Sequence, residues 1–393
     1  MSETQSGLQN MLDILYSFSI SNGLKVNLDK TKVMIFNKSG RHIWRRFSIS
    51  GVGVETTREY KYLGFKVTPS GEIKSGSSDM KDRALKAFMQ LKRRMGSMFK
   101  KHTRIRIKIF DALVRPILLY ASDFWGVLKM PSTNPIETFY LSFCKQLIGV
   151  QKQTTNIAVL LELGLTPLQL HAKTNALKNW NRIAKLKSAN AITSLSYNNA
   201  LDNELVWPKQ VMLNLSEIGM LDIFLADVAD TSSHLKILQR LKDIFHQNSF
   251  SQINKENGKL RTYRHLKSDI GFEEYFDLIP NKSDRVMFTR FRLSNHQLMI
   301  EKGRHLNIVK EERFCPLCPN AVEDETHFLI TCKAFQKERE KLFMEINKVN
   351  KASLQRCSLE KVKFLLSNKT IMKTTSQYIN KCTRLKEELI SKL

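Results

Sequence analysis

One segment near the end of the chain constrains the fold more than any other feature. It reads CPLCPNAVEDETHFLITC, and it spaces three cysteines and one histidine as Cys-x2-Cys-x8-His-x4-Cys. The four residues are Cys315, Cys318, His327 and Cys332. Thiolate and imidazole are the side chains that hold Zn²⁺ in a tetrahedron. We therefore expect these four residues to bind one zinc ion.

Four protein ligands leave no open coordination position, so the predicted zinc is structural rather than catalytic. Because His327 and Cys332 are five residues apart, a continuous α-helix would point them in different directions. We therefore predict that the helix ends or unwinds at Thr331. The alternative interpretation is a coincidental cluster of buried cysteines. The remaining cysteines have no such partners in the sequence, and we expect ordinary core or surface thiols at Cys144, Cys357 and Cys382.

The cysteine content also bears on the compartment. Six cysteines among 393 residues are too few for a disulfide scaffold, and three of them belong to the predicted metal site. The N-terminus lacks the basic start and apolar run of a signal peptide. The most apolar stretch, residues 105–125, is interrupted by charged side chains. We expect an intracellular protein, in the nucleus and/or the cytoplasm, with no membrane-spanning segment.

Charge indicates the partner. Lys plus Arg number 63 against 37 for Asp plus Glu, which gives a formal net charge of +26. Such an excess repels itself unless a polyanion neutralises it, and RNA and/or DNA is the polyanion that we expect. An anionic membrane surface is the weaker alternative.

The densest basic segment runs from Lys81 to Lys108 and contains one acid, Asp82. Apolar residues recur in it at helical spacing, so one face can pack while the other presents cations to phosphates. The alternative is a solvated basic face without a ligand. The basic residues of this segment are Lys81, Arg83, Lys86, Lys92, Arg93, Arg94, Lys100, Lys101, Arg104, Arg106 and Lys108.

Periodicity predicts an α+β fold that is mostly helical. Helical spacing covers residues 7–22, 78–95, 103–125, 136–148, 167–186, 233–245 and 283–299, with Ser78 or Asp79 as the cap of the second helix. Pro116 should kink or break the helix that contains it. Strands are predicted at residues 32–37, 47–54 and 60–68. The paired acids at positions 273–274, 311–312 and 323–324 are interpreted as solvated.

Several sequences in fixed order resemble one family. These are GLKVNLDKTKVMIF at 23–36, EYKYLGFKV at 59–67, LVRPILLYASDFWG at 113–126, LLELGLTPL at 160–168 and RFRLSNHQLMIEKGRH at 290–305. Together with the cysteine segment they resemble the C-terminal part of reverse transcriptases from non-LTR, LINE-type retrotransposons. The resemblance covers about residues 1–340.

We divide the chain into five regions, and the resemblance implies the first four. It implies a partial palm at residues 1–77 with motif D and primer-grip-like segments, and a helical thumb-like region at 78–189. A helical linker at 190–300 and a small CCHC zinc-binding domain at 301–345 follow. The basic residues 346–393 are expected to form a helical tail that is loosely held.

The resemblance also assigns roles. Lys30 matches the motif D lysine of the family, and Tyr62, Leu63 and Gly64 match its primer-grip turn. The predicted nucleic-acid-binding residues are then Lys30, Tyr62, Leu63, Gly64, Lys81, Arg83, Lys86, Lys92, Arg93, Arg94, Lys100, Lys101 and Arg104.

One departure decides the expected activity. In the family the catalytic Tyr-x-Asp-Asp turn precedes a sequence like SETQSGLQNMLD, which here begins at Ser2. No catalytic aspartates are therefore expected to hold Mg²⁺, which only a complete parent polymerase would bind. The sequence resembles a truncated retrotransposon product or a host gene derived from one.

Three functions follow. The first is a nucleic-acid-binding fragment or derivative of the reverse transcriptase that does not polymerise alone. The second is part of an RNA-directed DNA polymerase that the missing upstream portion completes in trans. The third is a domesticated protein-interaction module with structural zinc.

Overall fold

The structure is a computed structural model. It describes residues 1–96, 102–131, 133–186, 192–225, 233–255, 258–349 and 357–392. Two residues of the predicted nucleic-acid-binding set, Lys100 and Lys101, lie outside the described residues.

The fold is α+β and mostly helical, as the sequence predicts. The helices are α1 Gln5–Ser21, α2 Ile73–Met95, α3 Thr103–Leu113, α4 Arg115–Leu118, α5 Ser122–Trp125, α6 Pro135–Ile148, α7 Asn156–Glu162, α8 Leu168–Lys185, α9 Ile192–Asp202, α10 Val206–Glu217, α11 Leu221–Leu225, α12 Ser233–Ile253, α13 Tyr275–Leu278, α14 Lys282–Arg292, α15 Met299–His305, α16 Gln336–Val349, α17 Ser358–Ser367 and α18 Met372–Ile390. Single 3-10 turns occupy Tyr263–His265, Lys310–Glu312 and Lys333–Phe335.

In the described parts of the chain, the strands form three small, separate sheets. They are β1 Lys32–Val33, β2 Phe47–Ile49, β3 Val52–Thr56, β4 Tyr60–Tyr62, β5 Phe65–Val67, β6 Phe314–Cys315 and β7 Cys318–Val322. In the first sheet β3 lies in the centre, parallel to β1 and antiparallel to β2. Helix α1 covers this sheet through Leu12, and few residues are buried between them.

Two of the segments that were predicted as single strands each form two paired strands, a β-hairpin, in the structure. The predicted strand 47–54 turns at Ser50 and Gly51, which both have positive φ, so β2 and β3 pair with each other. The predicted strand 60–68 turns in the same way at Leu63 and Gly64. Positive φ at both central residues is typical of a type I′ turn, which suits a two-residue hairpin.

The β4–β5 hairpin is fixed to helix α2. The Arg83 guanidinium donates to the Gly64 carbonyl at 2.8 Å, and the Tyr120 hydroxyl donates to the Leu63 carbonyl. A β-carbon at Gly76 would overlap the ring of Phe65, so glycine permits this close approach. The predicted helix cap at Ser78 or Asp79 is wrong, because the cap of α2 is Glu72, six or seven residues earlier, and the first turns of α2 pack against the hairpin.

The helix predicted over residues 103–125 is broken, as expected from Pro116. It divides into α3, α4 and α5, with Pro116 in the first turn of α4 and Ala121 in a left-handed conformation before α5. The helix predicted over residues 283–299 is too long: α14 ends at Arg292, Ser294 has a positive φ, and α15 begins only at Met299.

One large core joins regions that the sequence analysis separated. It includes Phe88 of α2, Phe110 of α3, Phe143 of α6, Phe328 of the cysteine segment and Ile379 of α18. The rings of Phe110 and Phe143 stack with centroids 3.9 Å apart. A second core lies between α8, α10 and α12 around Trp180. The five predicted region boundaries stay predictions.

The expectation of a loosely held tail is wrong. Helix α18 packs along α14 and buries Ile379 and Cys382 completely. Its Tyr378 hydroxyl donates to the Phe328 carbonyl of the cysteine segment at 3.3 Å. The buried positions recur at intervals of three and four residues, so the helix is amphipathic although its sequence is rich in lysine.

Candidate metal centre and basic surface

Two local structures bring the four predicted metal ligands together. Strands β6 and β7 form a tight hairpin in which Cys315 lies opposite Cys318. The segment His327–Thr331 is a π-helical turn, and Cys332 follows it in an extended conformation. The hairpin supplies two thiols and the π-helical turn supplies the imidazole and the third thiol.

The π-helical turn confirms that the α-helical path ends by Thr331. On an α-helix, residues five apart differ in direction by about 140°. In the structure the Cys332 amide donates to the His327 carbonyl at 2.8 Å, which is the five-residue hydrogen bond of a π-helix. The wider turn returns the chain to the same side, so His327 and Cys332 face one point.

The spacing of the donor atoms fits a tetrahedral metal. All four ligand atoms lie within 4.8 Å of one another, and the four residues are buried. The sulfurs of Cys318 and Cys332 are 3.6 Å apart. Zinc–sulfur bonds of about 2.3 Å in a tetrahedron require a sulfur–sulfur distance of about 3.8 Å.

The histidine ring has one satisfied and one unsatisfied nitrogen. His327 Nδ1 lies 3.2 Å from the Thr331 hydroxyl. His327 Nε2 is buried and has no hydrogen-bond partner. A buried imidazole nitrogen without a partner is unfavourable, and a metal bond would satisfy it. The Thr331 contact then fixes the ring orientation, as an outer partner does in zinc sites.

The pKa values of two of the thiols are shifted in opposite directions. A hydrogen bond from the Cys332 thiol lowers the pKa of Cys315 despite burial. The same hydrogen bond and burial raise the pKa of Cys332. Zinc binds thiolates, so metal binding must displace the remaining protons. The four residues can therefore hold a metal ion, and their three thiols and one imidazole are a donor set that suits zinc.

Backbone contacts hold the cysteine segment from outside. Arg339 of α16 donates to the Cys332 carbonyl at 2.9 Å, and the Asp324 carboxylate accepts from the His327 amide at 2.7 Å. Through Arg339 and the Tyr378 bond, the segment of the predicted metal ligands is connected to α16 and α18.

Sequence reasoning missed a buried ion-pair cluster. The Arg292 guanidinium is fully buried and lies 2.9 Å from the carboxylates of Glu162 and Glu273. Glu273 also pairs with Lys267. The interpretation of Glu273 as solvated is therefore wrong, because folding places two cations against it. The lone charge of Glu162 inside the apolar run 157–165 was the available signal.

The interpretation of Glu323 as solvated is also wrong. Its carboxylate is buried, pairs with Lys386 at 2.6 Å and accepts from the Met299 amide at 2.7 Å. The neighbouring Glu325 is buried against Arg261 at 2.7 Å. These acids therefore connect the cysteine segment to the surrounding helices.

The predicted nucleic-acid-binding residues of α2 divide into two groups. Lys86, Arg93 and Arg94 are exposed and form no ion pair with any acid in the described ranges. Lys81 pairs with Asp82 at 2.7 Å. Arg83 is held by the β4–β5 hairpin and by Asp79 at 3.1 Å.

The remaining predicted residues lie elsewhere on the surface. Lys92 places its ammonium 5.6 Å from the Phe88 ring centroid. Arg104 pairs with Asp277 at 3.4 Å and lies over the Phe272 ring. Lys30 is exposed in the turn before β1. Tyr62 and Leu63 project from the hairpin tip, with 64% and 75% of their surfaces exposed.

Within the described ranges, every helix is too short or too polar to cross a lipid bilayer. The resemblance to reverse transcriptases rests on the sequence motifs alone and stays a prediction. A scan against protein-family models and a search of curated proteins found no match to this chain.

Proposed function

We propose that the chain binds nucleic acid through backbone phosphates on the outward face of α2, as a derivative of a non-LTR reverse transcriptase. One observation carries the proposal. Lys86, Arg93 and Arg94 are exposed without acidic partners in the described structure, while Met80, Ala84 and Phe88 anchor the opposite side of the same helix in the main core. Cations fixed on a rigid element suit phosphate contacts, which position a duplex without reading bases.

Helical geometry supports a common face. Arg93 and Arg94 follow Lys86 by about two turns, so the three side chains leave the helix within about 100° of one another. The net charge of +26 adds a long-range attraction for any polyanion. The zinc ion would stabilise the fold and take no part in chemistry.

Salt dependence tests the proposal. The variant K86Q/R93Q/R94Q should reduce the magnitude of the slope of log K against log salt by about two to three on duplex DNA and by about two on single strands. Binding should weaken alike for all sequences, because phosphate contacts carry no base code. Fluorescence anisotropy with labelled oligonucleotides measures both quantities.

The matched control removes three exposed lysines elsewhere, as K38Q/K310Q/K373Q, so both variants lose the same charge. The control should keep most of the slope. If the slope decreases equally in the two variants, the attraction comes from the net charge and not from α2. If K86Q/R93Q/R94Q binds with an unchanged slope, α2 is not part of the interface.

A second function, a polymerase part completed in trans, is favoured by helix α1. Its residues Ile14, Leu15 and Phe18 are 69%, 44% and 59% exposed, and their spacing places them on one apolar face that the described residues leave uncovered. Such a face is typical of an interaction surface. Here the partner would be the upstream palm portion of the same polymerase.

An experiment that mixes the chain with the upstream palm portion tests this second function. The upstream portion should co-purify with the chain and incorporate labelled nucleotide on a primed RNA template with Mg²⁺. I14D/F18D should abolish both properties, whereas K38Q/K310Q should not. Co-purification without nucleotide incorporation would instead favour the protein-interaction module.

A further inference from the structure

An open groove of about 430 Å³ lies on the β2–β3 hairpin and on the residues that lead into β2. Its lining includes Trp44, Arg45 and Arg46, which directly precede β2, and Gly51 and Gly53 of the hairpin. An aromatic ring and two guanidinium groups therefore lie beside a stretch of backbone that carries no side chains.

Trp44 is exposed and also restrained. Its surface is 68% exposed, although tryptophan is a large apolar residue. The ring of His42 lies 4.2 Å from the indole, measured between centroids. His42 Nδ1 in turn accepts from the Arg58 guanidinium at 3.4 Å. A flat ligand that stacks on this indole would therefore order a side chain that already has a fixed neighbour, which reduces the entropic cost of binding.

Gly53 keeps the neighbouring strand surface open. Alternation along β3 buries Val54 and Thr56, so Gly53 lies on the exposed face of the strand. Its φ is not positive, so the backbone does not require glycine at this position. A β-carbon placed there would have no atom within 4 Å. Glycine inside a strand often marks a place where a ligand approaches the backbone closely.

The charges around the groove favour a polyanion. The sequence contains no acid between Asp29 and Glu55. Glu55 lines the groove, but its carboxylate pairs with Lys32. The side chains of Arg45 and Arg46 are exposed, and neither forms an ion pair or a hydrogen bond with a residue in the described ranges. Both guanidinium groups can therefore contact a ligand.

We propose that this groove binds a single-stranded nucleic acid, with one unpaired base stacked on Trp44 and the adjacent phosphates bound by Arg45 and Arg46. Proteins that bind single strands combine aromatic side chains for the bases with cations for the backbone. The inference rests on the proposed function and deepens it, because the phosphate contacts of α2 do not require unpaired bases, whereas stacking on Trp44 does.

The first test separates the base from the phosphates. A short oligothymidylate is compared with an abasic strand of the same length and charge. The wild type should bind the oligothymidylate about tenfold more tightly than W44A does, since stacking of one base on an aromatic side chain typically has an effect of this size. W44A and the wild type should bind the abasic strand equally. W44F keeps an aromatic ring and should retain most of the affinity.

The matched control is F124A, which removes an aromatic side chain that is 57% exposed on α5. It should bind the oligothymidylate as the wild type does. Circular dichroism of W44A, W44F and F124A establishes that all three variants fold.

Fluorescence reports the stacking directly. Trp125 and Trp180 are buried and Trp207 is half-buried, so Trp44 is the most exposed of the four tryptophans. A base stacked on an indole quenches its emission. The oligothymidylate should therefore quench the wild type, and W44F should lose most of that quenching while it keeps its affinity.

Salt dependence tests the two arginines. R45Q/R46Q should reduce the magnitude of the slope of log K against log salt on the oligothymidylate by about one to one and a half. K310Q/K373Q loses the same charge elsewhere on the surface and should keep most of the slope. Equal decreases in the two variants would remove Arg45 and Arg46 from the proposed contact.

Three results would overturn the proposal. They are equal wild-type affinities for the oligothymidylate and the abasic strand, equal losses in W44A and F124A, and quenching that W44F leaves unchanged. Duplex DNA distinguishes this failure from that of the proposed function, because W44A should bind a duplex as the wild type does. If W44A loses the base-dependent affinity while K86Q/R93Q/R94Q keeps its slope on a duplex, only the α2 interface is rejected.

Discussion

At the scale of single residues, the unsatisfied Nε2 atom of His327 defines the metal prediction. We expect one zinc ion per chain, because four donors converge on one point. Metal analysis of the purified protein should give a zinc-to-chain ratio near one. C315S and H327A should lose the metal and local helical structure, since zinc binding and folding are coupled by about 10–16 kcal/mol in small zinc peptides.

The control for the metal prediction is C357S, which changes an exposed cysteine outside the cluster. It should keep its zinc. Unchanged zinc content in C315S would reject the assignment of the four ligands.

Arg292 and Glu162 are fully buried and give the sharpest stability prediction. R292M should lower the free energy of unfolding by about 3–5 kcal/mol, because it leaves a buried carboxylate without its partner. R292M/E162Q should recover part of that loss, since the unpaired charge is gone. Urea unfolding measures all three free energies.

The exposed pair Lys369–Glu274 is the comparison for this buried pair. K369M should change stability by less than about 1 kcal/mol. A similar small effect of R292M would mean that water or another cation replaces the guanidinium.

At the scale of helices and strands, the packing of α8 predicts a pH dependence. Burial of His171, and then the charges of Arg115 and Lys242, lower its pKa from 6.5 to about 4. The stabilising contribution of this residue is complete above pH 6.5 and is lost as the pH falls towards 4. It should decrease by roughly 2 kcal/mol between pH 8 and pH 5.

The measurement is urea unfolding of the wild type and H171Q at both pH values. The advantage of the wild type over H171Q should shrink by that amount at pH 5. If the difference in the free energy of unfolding between the wild type and H171Q is the same at both pH values, the pKa of His171 is not lowered by folding.

Helices were predicted better than strands, and the reason is local. The apolar spacing of α1, α6, α8 and α12 indicated each helix directly, because these elements bury one continuous side. The segment 47–54 was predicted as one strand because its turn, Ser50–Gly51, is short and flanked by strand-forming residues. The early start of α2 depends on a contact with Phe65, which the helix sequence alone does not contain.

The candidate sites divide in the same way. The metal ligands were predictable because close sequence spacing and donor chemistry specify them together. The buried pair of Arg292 and Glu162 was not, since these residues are far apart in the sequence and only the packing of their helices brings them together. Arg83 looked like its basic neighbours in the sequence, and only the docked hairpin distinguishes it.

At the scale of the whole molecule, we expect no DNA synthesis by this chain alone on a primed RNA template with Mg²⁺ or Mn²⁺. Two-metal phosphoryl transfer requires clustered carboxylates, and the motif that supplies them in the resembled family is missing from the sequence. Labelled-nucleotide incorporation is the measurement. Incorporation that survives purification and is abolished by replacing an acid of this chain would contradict the expectation.

The attachment of the β4–β5 hairpin has a mechanical consequence. Arg83 of α2 and Tyr120 each form a hydrogen bond to the hairpin tip, so these bonds set the position of Leu63 relative to α2. A nucleic-acid strand that contacts both Leu63 and the cations of α2 would therefore contact them at a constant distance from each other. The length of strand protected from nuclease should therefore be constant from one sequence to another, and it should become variable once Tyr120→Phe and Arg83→Gln release the tip.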